Sequence, residues 1–367
     1  MIKPFFFNIV FLVLLFQVGM AQKANSEKGK TIKIGLLVND LTSEHAQRAA
    51  ESAIRIANEK AGVNGTHFQL ITRSMEGAWG TGSKEAVNLV FEEEVWAILG
   101  SHDGRNAHLV EQVIAKTKVV FLSAWASDPT LSQAFIPWFY NCVPNDIQQG
   151  ETLVKGIAKN GKIKKIGIIA QGNYDAEKAL KYLKAQIQQG GFQDSETVSL
   201  TYSSDHTEAY IKKMRNDAID AIVLLGDGKS TLELFDLLRK KGLQIPVFGT
   251  IPMLGSSGLR PLESEPPLNL TVLNSGNWMK SNTLDSQNRR ADSDGISNAI
   301  AAYAFDGTNV LINAIKSSGF NRETFNETMA KTNEKGITGN IQFDKNGNRV
   351  GPMHLIEITN DDPIFKK

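Results

Sequence analysis

Residues 119–150 read VVFLSAWASDPTLSQAFIPWFYNCVPNDIQQG, and the succession of textures in this stretch decides the fold. Val119–Leu122 is apolar throughout, the mark of a strand covered on both faces of a parallel sheet. Ser123–Ser127 is a loop of small and hydroxyl residues around one tryptophan, and Asp128-Pro129 opens a short helix. A second short strand, Trp138–Val143, runs into another helix start at Pro144-Asn145-Asp146. A small-residue loop at the C-terminal end of a parallel strand sets backbone N–H groups beside a helix N-terminus, which suits a carboxylate or another small anion. No nucleophile with a matching base stands in this stretch. It reads as a place to hold a ligand rather than convert one.

Outward from it, the chain alternates short apolar strands with amphipathic helices. The expected strands before it are Ile32–Val38, Phe68–Arg73 and Val95–Leu99; those after it are Lys165–Ala170, Thr197–Tyr202, Ala221–Leu225 and Pro246–Gly249. Between them helices are expected over Glu44–Ala61, Ser83–Glu93, Ala107–Thr117, Asp146–Asn160, Asp175–Gly190, Thr207–Asn216 and Ser230–Lys241. Two successive sets of such units predict an α/β protein of two doubly wound parallel-sheet lobes, with the split near Pro144. Farther on, residues 251–267 read as loop, Leu270–Gly276 as a strand and Ile296–Lys316 as a long helix. Ile341–Phe343, the Asp344–Gly347 turn and His354–Ile358 read as a hairpin.

Composition narrows the function classes. With 367 residues, 41% hydrophobic and 22% charged, the chain has the make-up of a globular protein with two ordinary cores. A formal net charge of +1 gives no reason to expect nucleic acid or a membrane surface as a partner. Lys3, the apolar run Phe5–Val18 and then Gly19-Met20-Ala21 have the layout of a secretory signal peptide cut after Ala21, followed by a flexible mature terminus over residues 22–30. Cys142 is the single cysteine, so no intrachain disulfide is possible, and its strand context predicts a buried, inert thiol.

Catalytic and metal motifs fail on inspection. Gly255-Ser256-Ser257-Gly258 is not G-x-S-x-G, and Gly226–Ser230 lacks the first glycine of a phosphate loop where Val223 stands. In the calcium-loop-like run from Asp344, Arg349 takes the required glycine position. His102 and His108 lie at the wrong spacing for one helical face, so neither a metal nor any other cofactor is expected. The strand-end loops are richer. They carry Trp79, His102, Asp103, Gly104, Arg105, Trp125, Ala126, Ser127, Tyr174 and Asp227, the aromatic walls and few charges of a small-molecule cleft.

These residues bring a resemblance. Ser123–Pro129, Val143-Pro144-Asn145-Asp146 with Gln148-Gln149-Gly150, Tyr174, and Ile337–Asp344 with Gly347 are similar to type I periplasmic binding proteins of the leucine/isoleucine/valine-binding branch. The resemblance covers Thr31–Thr359. It implies two lobes joined by a three-stranded hinge, 31–143 plus 277–336 and 144–276 plus 337–367, closing on a ligand. It also implies a periplasmic, monomeric, non-enzymatic substrate-binding protein that delivers an amino acid, carboxylate or aromatic acid to the permease subunits of an ABC importer. A sensing module for a membrane receptor or histidine kinase is the alternative on the same fold, and an α/β enzyme the more remote one. Ala126 and Ser127 match the family's carboxylate-binding backbone and hydroxyl donors, and Tyr174 a cleft tyrosine. Ile251 stands where the acid that meets the ligand's ammonium is expected. An amino acid then requires Asp227 or Asp103 as substitute, whereas Arg105 is suited to pair with a carboxylate.

Overall fold

The computed structural model describes residues 31–40, 44–61, 65–78, 80–194, 198–200, 204–256, 269–279 and 296–358. The leader at residues 1–21 and parts of the Thr197–Tyr202 strand lie outside them.

Strand β1 (Thr31–Val38) shows why the alternation folds as it does. Ile32, Ile34, Leu36 and Val38 enter one apolar cluster, while Leu37 enters the other, so both faces of the strand are buried. Around it a five-stranded parallel sheet forms in the order β2 (His67–Ser74), β1, β3 (Ala97–Ser101), β4 (Val120–Ser123), β5 (Phe139–Asn141). On one face α1 (Glu44–Ala61) turns Ala46, Ala49, Ala50, Ala53 and Ala57 inward, and this small-residue stripe lets it pack against the alanine-rich α9 (Ala299–Ser317). The other face carries α2 (Thr81–Phe91), α3 (Gly104–Thr117) and the short α4 (Thr130–Gln133). Each fully buried aliphatic side chain here is worth roughly 1.5–3 kcal/mol.

The second sheet has the order β15 (His354–Ile358), β11 (Leu270–Asn274), β10 (Val247–Gly249), β9 (Ala221–Leu225), β6 (Lys165–Gln171), β7 (Gln193–Asp194), with β8 (Val198–Leu200) also beside β6. All its pairs are parallel except β11 with β15. Helices α5 (Asp146–Ala158), α6 (Tyr174–Gln189), α7 (Ser204–Asn216) and α8 (Gly228–Lys240) accompany it, and a 3₁₀ turn spans Ile251–Gly255. The result is two doubly wound lobes.

The chain passes between them three times. First, β5 leads through Cys142–Asn145 to α5, whose start is fixed by a capping box between Asn145 and Gln148. Second, β11 leads back toward α9. Third, the chain returns from α10 (Arg322–Ala330) through β12 (Asn333–Gly336), β13 (Gly339–Phe343) and β14 (Arg349–Val350) to β15. Gly276 (φ 70°) lies where a Cβ would come within 2.2 Å of the Ile337 carbonyl oxygen, so only glycine lets the second and third passages touch.

Three readings need correction. The C-terminal hairpin is not formed by Ile341–Phe343 with His354–Ile358: β13 pairs with β12 and β14 in a separate three-stranded sheet, and β15 joins the second lobe's sheet beside β11. The strand expected over Leu270–Gly276 ends at Asn274, because the left-handed Gly276 turns the chain out of the sheet. Helices α3, α6 and α8 begin earlier than their apolar periodicity suggests. In each, an Asp or Asn at the preceding position (Asp103, Asn173, Asp227) accepts a backbone N–H of the first turn.

Candidate functional site

The loops at the C-terminal ends of both parallel sheets face one another, as open α/β sheets arrange for ligand sites. They enclose a cavity of about 630 Å³, walled by Glu76, Arg105, Asn106 and Trp125 of the first lobe and by Asn173, Tyr174, Asp175 and Asp227 of the second. A groove of about 730 Å³ between α1 and the edge strand β2 is built from one lobe only and has no converging loops.

Two hydrogen bonds tie the lobes together at the cavity. The backbone N–H of Gly104 donates to Asp175 Oδ1 at 2.9 Å, and Tyr174 Oη donates to Asp128 Oδ2 at 2.9 Å. The Arg105 guanidinium lies 5.8 Å from the centre of the Tyr174 ring, with Lys178 Nζ at 5.1 Å from the same centre. Trp125 meets Gly255 of the 3₁₀ turn so closely that a Cβ there would stand 2.8 Å from its ring. Trp125 and Tyr174 thus reach from their own lobe to the other one.

Other residues singled out by sequence are placed differently. His102 is fully buried and stacks on Phe121 at 5.9 Å, and burial lowers the pKa of its imidazole. It is core, not cleft wall. Asp103 gives both carboxylate oxygens to Asn106, at 2.9 Å to the backbone N and 2.8 Å to Nδ2. Asp227 likewise accepts from the backbone N and the hydroxyl of Ser230 at 2.9 and 3.1 Å. Both remain on the cavity wall, with oxygens already engaged in capping. The Ser127 hydroxyl donates to Asp146 Oδ1 at 2.7 Å, and the Ala126 carbonyl accepts from Asn141 Nδ2 at 3.1 Å. These contacts anchor the loop to the first inter-lobe passage rather than aim donors into the cavity. Burial raises the Asp146 carboxyl well above its usual range, against the pull of Ser127. Trp79 lies outside the described residues. Ile251 is buried in the second lobe, its N–H donating to Gln149 Oε1 at 3.0 Å.

A model of the family described as periplasmic binding protein matches residues 31–363. The chain belongs to the periplasmic binding protein family. Among curated proteins, this binding protein is 22% identical over 206 residues to the Leu/Ile/Val-binding protein homolog 3 of Brucella melitensis, a match spanning 56% of each chain, so it covers little more than half of that relative's length. Among solved structures, it is similar to the branched-chain amino acid transporter substrate-binding protein LivJ from Streptococcus pneumoniae in complex with isoleucine. That similarity has a TM-score of 0.73 at 18% identity, covering 90% of this chain and 97% of that one. A solute-binding protein of an ABC transporter from Rhodopseudomonas palustris BisB5, in complex with 3,4-dihydroxybenzoic acid, also has a TM-score of 0.73 at 18% identity, covering 89% and 93%. At this identity the likeness is one of fold. No helix among the described residues is long and apolar enough to cross a membrane.

Behind the cleft, this periplasmic binding protein carries a charged chain that no motif announces. His108 on α3 meets Glu111 Oε2 at 2.8 Å through Nδ1, and Thr130 Oγ1 and Asp128 Oδ2 at 3.0 and 3.4 Å through Nε2. Hydrogen bonding to Asp128, then to Glu111, pushes His108 up to about 9 against partial burial. Burial alone would raise Asp128, but hydrogen bonds from His108, Thr130 and Tyr174 outweigh it and hold the carboxyl well below the usual range. Asp128 is therefore a fixed anion that receives the Tyr174 phenol.

Because the folded-state pKa of His108 lies above its unfolded value of 6.5, its stabilising contribution is complete below about pH 6.5 and lost as pH rises through about 9. The urea midpoint should accordingly fall more steeply between pH 7 and 10 in the wild type than in His108→Gln. Parallel slopes would show that the imidazolium is not held. The direct measurement is an NMR titration of the ring, with a midpoint expected near 9.

Proposed function

We propose that this chain is an exported solute-binding protein that captures a small organic ligand between its lobes and delivers it to the permease subunits of an ABC importer. The observation that carries this reading is the cavity of about 630 Å³ walled jointly by strand-end loops of both lobes. A ligand seated there touches both lobes at once, so its binding energy biases the hinge toward closure. The lobes are assigned as 31–143 plus 277–336 and 144–276 plus 337–367. The isoleucine and dihydroxybenzoic acid in the similar proteins support a carboxylate-bearing ligand. Arg105 would meet the carboxylate, Trp125 and Tyr174 would wall the remainder, and Gly104 would let the lobes approach. His102, Ala126 and Ser127 would support that wall from behind. The protein would act as a monomer, hold its ligand without converting it, and reach the periplasm by a cleaved leader.

A thermal-shift screen of the mature protein against amino acids, carboxylates and aromatic acids tests this, since a bound ligand raises apparent stability by mass action. At least one class is expected to raise the melting temperature, and Arg105→Ala to weaken the best carboxylate by about tenfold, or about 1.4 kcal/mol. Unchanged affinity in that variant would remove Arg105 from the site. Absence of any stabilising compound would count against solute binding itself.

A further inference from the structure

The cavity wall holds more acid than base, yet its acids are not equivalent. Asp103 and Asp227 are engaged as helix caps, and Asp128, an anion just behind the wall, is paired with His108. Glu76 sits exposed on the wall. Asp175 differs from all of these. Its Oδ1 accepts the Gly104 N–H across the cleft, and its Oδ2 has no donor among the described residues. No lysine or arginine forms an ion pair with it among those residues.

The surroundings of Asp175 leave its charge undercompensated. Asp103 and Asp128 face it from the first lobe and Asp146 from the first inter-lobe passage, with Arg105 opposing them; His108 stands behind Asp128, and Lys178 one turn along α6 lies over the ring of its chain neighbour Tyr174. Burial pushes its carboxyl up to about 6, with the Gly104 N–H pulling down, Asp103 and Asp128 pushing up and Arg105 pulling down. Closing the lobes therefore half-buries a carboxylate that has a single backbone donor, and a carboxylate partly withdrawn from water with so little compensation opposes closure. A cationic group carried by the ligand would remove that opposition.

Resting on the solute-binding reading, we propose that Asp175 is the cation-recognising group of the cleft, so that the ligand is a zwitterion whose ammonium meets Asp175 while its carboxylate meets Arg105. Asp175 also makes closure conditional on that ammonium. The apolar Ile251 leaves this task to a residue at the start of α6.

The test pairs amine-bearing compounds with the acids that lack the amine: leucine with isocaproate, phenylalanine with hydrocinnamate, γ-aminobutyrate with butyrate. In the wild type the tightest-binding amine should bind at least about tenfold better than its partner. Asp175→Asn keeps an acceptor for Gly104 N–H, so the free protein should melt at the same temperature or higher, while the amine's affinity falls about tenfold or more and the discrimination disappears. Near pH 6, calorimetry in buffers of different ionisation enthalpy should show proton release on binding the amine, because the ammonium lowers a half-protonated carboxyl; the variant should show none. A desamino acid that binds as tightly as its amine, or an Asp175→Asn protein that retains both affinity and proton release, overturns the role of Asp175 and leaves solute binding standing. If no compound of either kind binds the wild type, the solute-binding reading fails and takes this inference with it.

Discussion

Leucine at position 104 is expected to hold the cleft open and to lower the affinity for any cleft ligand about a hundredfold. Gly104 opens α3 at a point where the two lobes touch. An ideal Cβ there would stand 2.9 Å from Asp175 Oδ1, 3.1 Å from Asp128 Cβ and 3.2 Å from Tyr174 Cε1. Two of these three neighbours belong to the opposite lobe, so a larger side chain is accommodated by separating the lobes rather than by unfolding either one. Overpacking of this kind costs about 1–3 kcal/mol, and here most of the cost falls on the closed state. Gly104 has no left-handed backbone angle, so leucine suits the first turn of α3 in the open form. The variant should therefore unfold cooperatively near the wild-type midpoint while small-angle scattering shows no contraction with ligand. Alanine at the same position should cost about tenfold. A Gly104→Leu protein that contracts and binds like the wild type would mean that the ligand is held somewhere other than between these loops.

The fold was legible because its signals are redundant. Strands such as Ala221–Leu225 are apolar on both faces, and burial on both faces is what a helix-covered parallel sheet requires. The hairpin reading failed because adjacency in sequence was taken as pairing. Nothing local tells His354–Ile358 to pass by β13 and complete the second lobe's sheet; that choice is made by the long-range partner β11. The site was legible as a set of loops, but not as a set of side chains. Asp103 and Asp227 look like ligands and serve largely as caps, a difference that turns on one backbone N–H three residues ahead. His102 sits in the right loop with its ring turned into the core against Phe121. Asp175 reads in sequence as an ordinary acid in a helix's first turn, where the macrodipole favours it. Only the opposite lobe's Gly104, a residue 71 positions away, shows that it faces across the cleft. The charge chain Glu111–His108–Asp128–Tyr174 is invisible for a related reason: its first three members meet across separate elements of one lobe, and only Tyr174 comes from the other.

The hinge supplies the largest expected effect on stability. Arg349 is buried, and its guanidinium binds three segments at once. Nη1 donates to the Cys142 carbonyl at 2.8 Å and to Thr338 Oγ1 at 2.9 Å, and Nη2 donates to the carbonyls of Thr338 and Asn340 at 2.7 and 2.9 Å. The same plane lies 5.7 Å from the Tyr303 ring centre. Through Thr338 it reaches Asp306 on α9, which accepts the N–H groups of Ile337 and Thr338 at 3.1 and 2.8 Å. Asn277 N–H donates to the Ile337 carbonyl at 2.9 Å, so the second passage is tied to the same knot. Removing the guanidinium strands buried carbonyls and leaves the fully buried Asp306 without its nearest positive charge. Arg349→Met should therefore lower the unfolding free energy by about 3–5 kcal/mol, because several buried hydrogen bonds to a charged group are lost together and their acceptors are left unsatisfied. Lysine should recover little of this, because a single ammonium cannot match a planar fork that serves four acceptors. The cost should also be non-additive. With Asp306→Asn already present, Arg349→Met should cost measurably less, since part of its penalty is the stranded carboxylate. Urea denaturation of the two single variants and the double variant measures this cycle. Strict additivity, or an Arg349→Met loss below about 1 kcal/mol, would mean that the three passages are held by backbone packing and that hinge geometry does not depend on this residue.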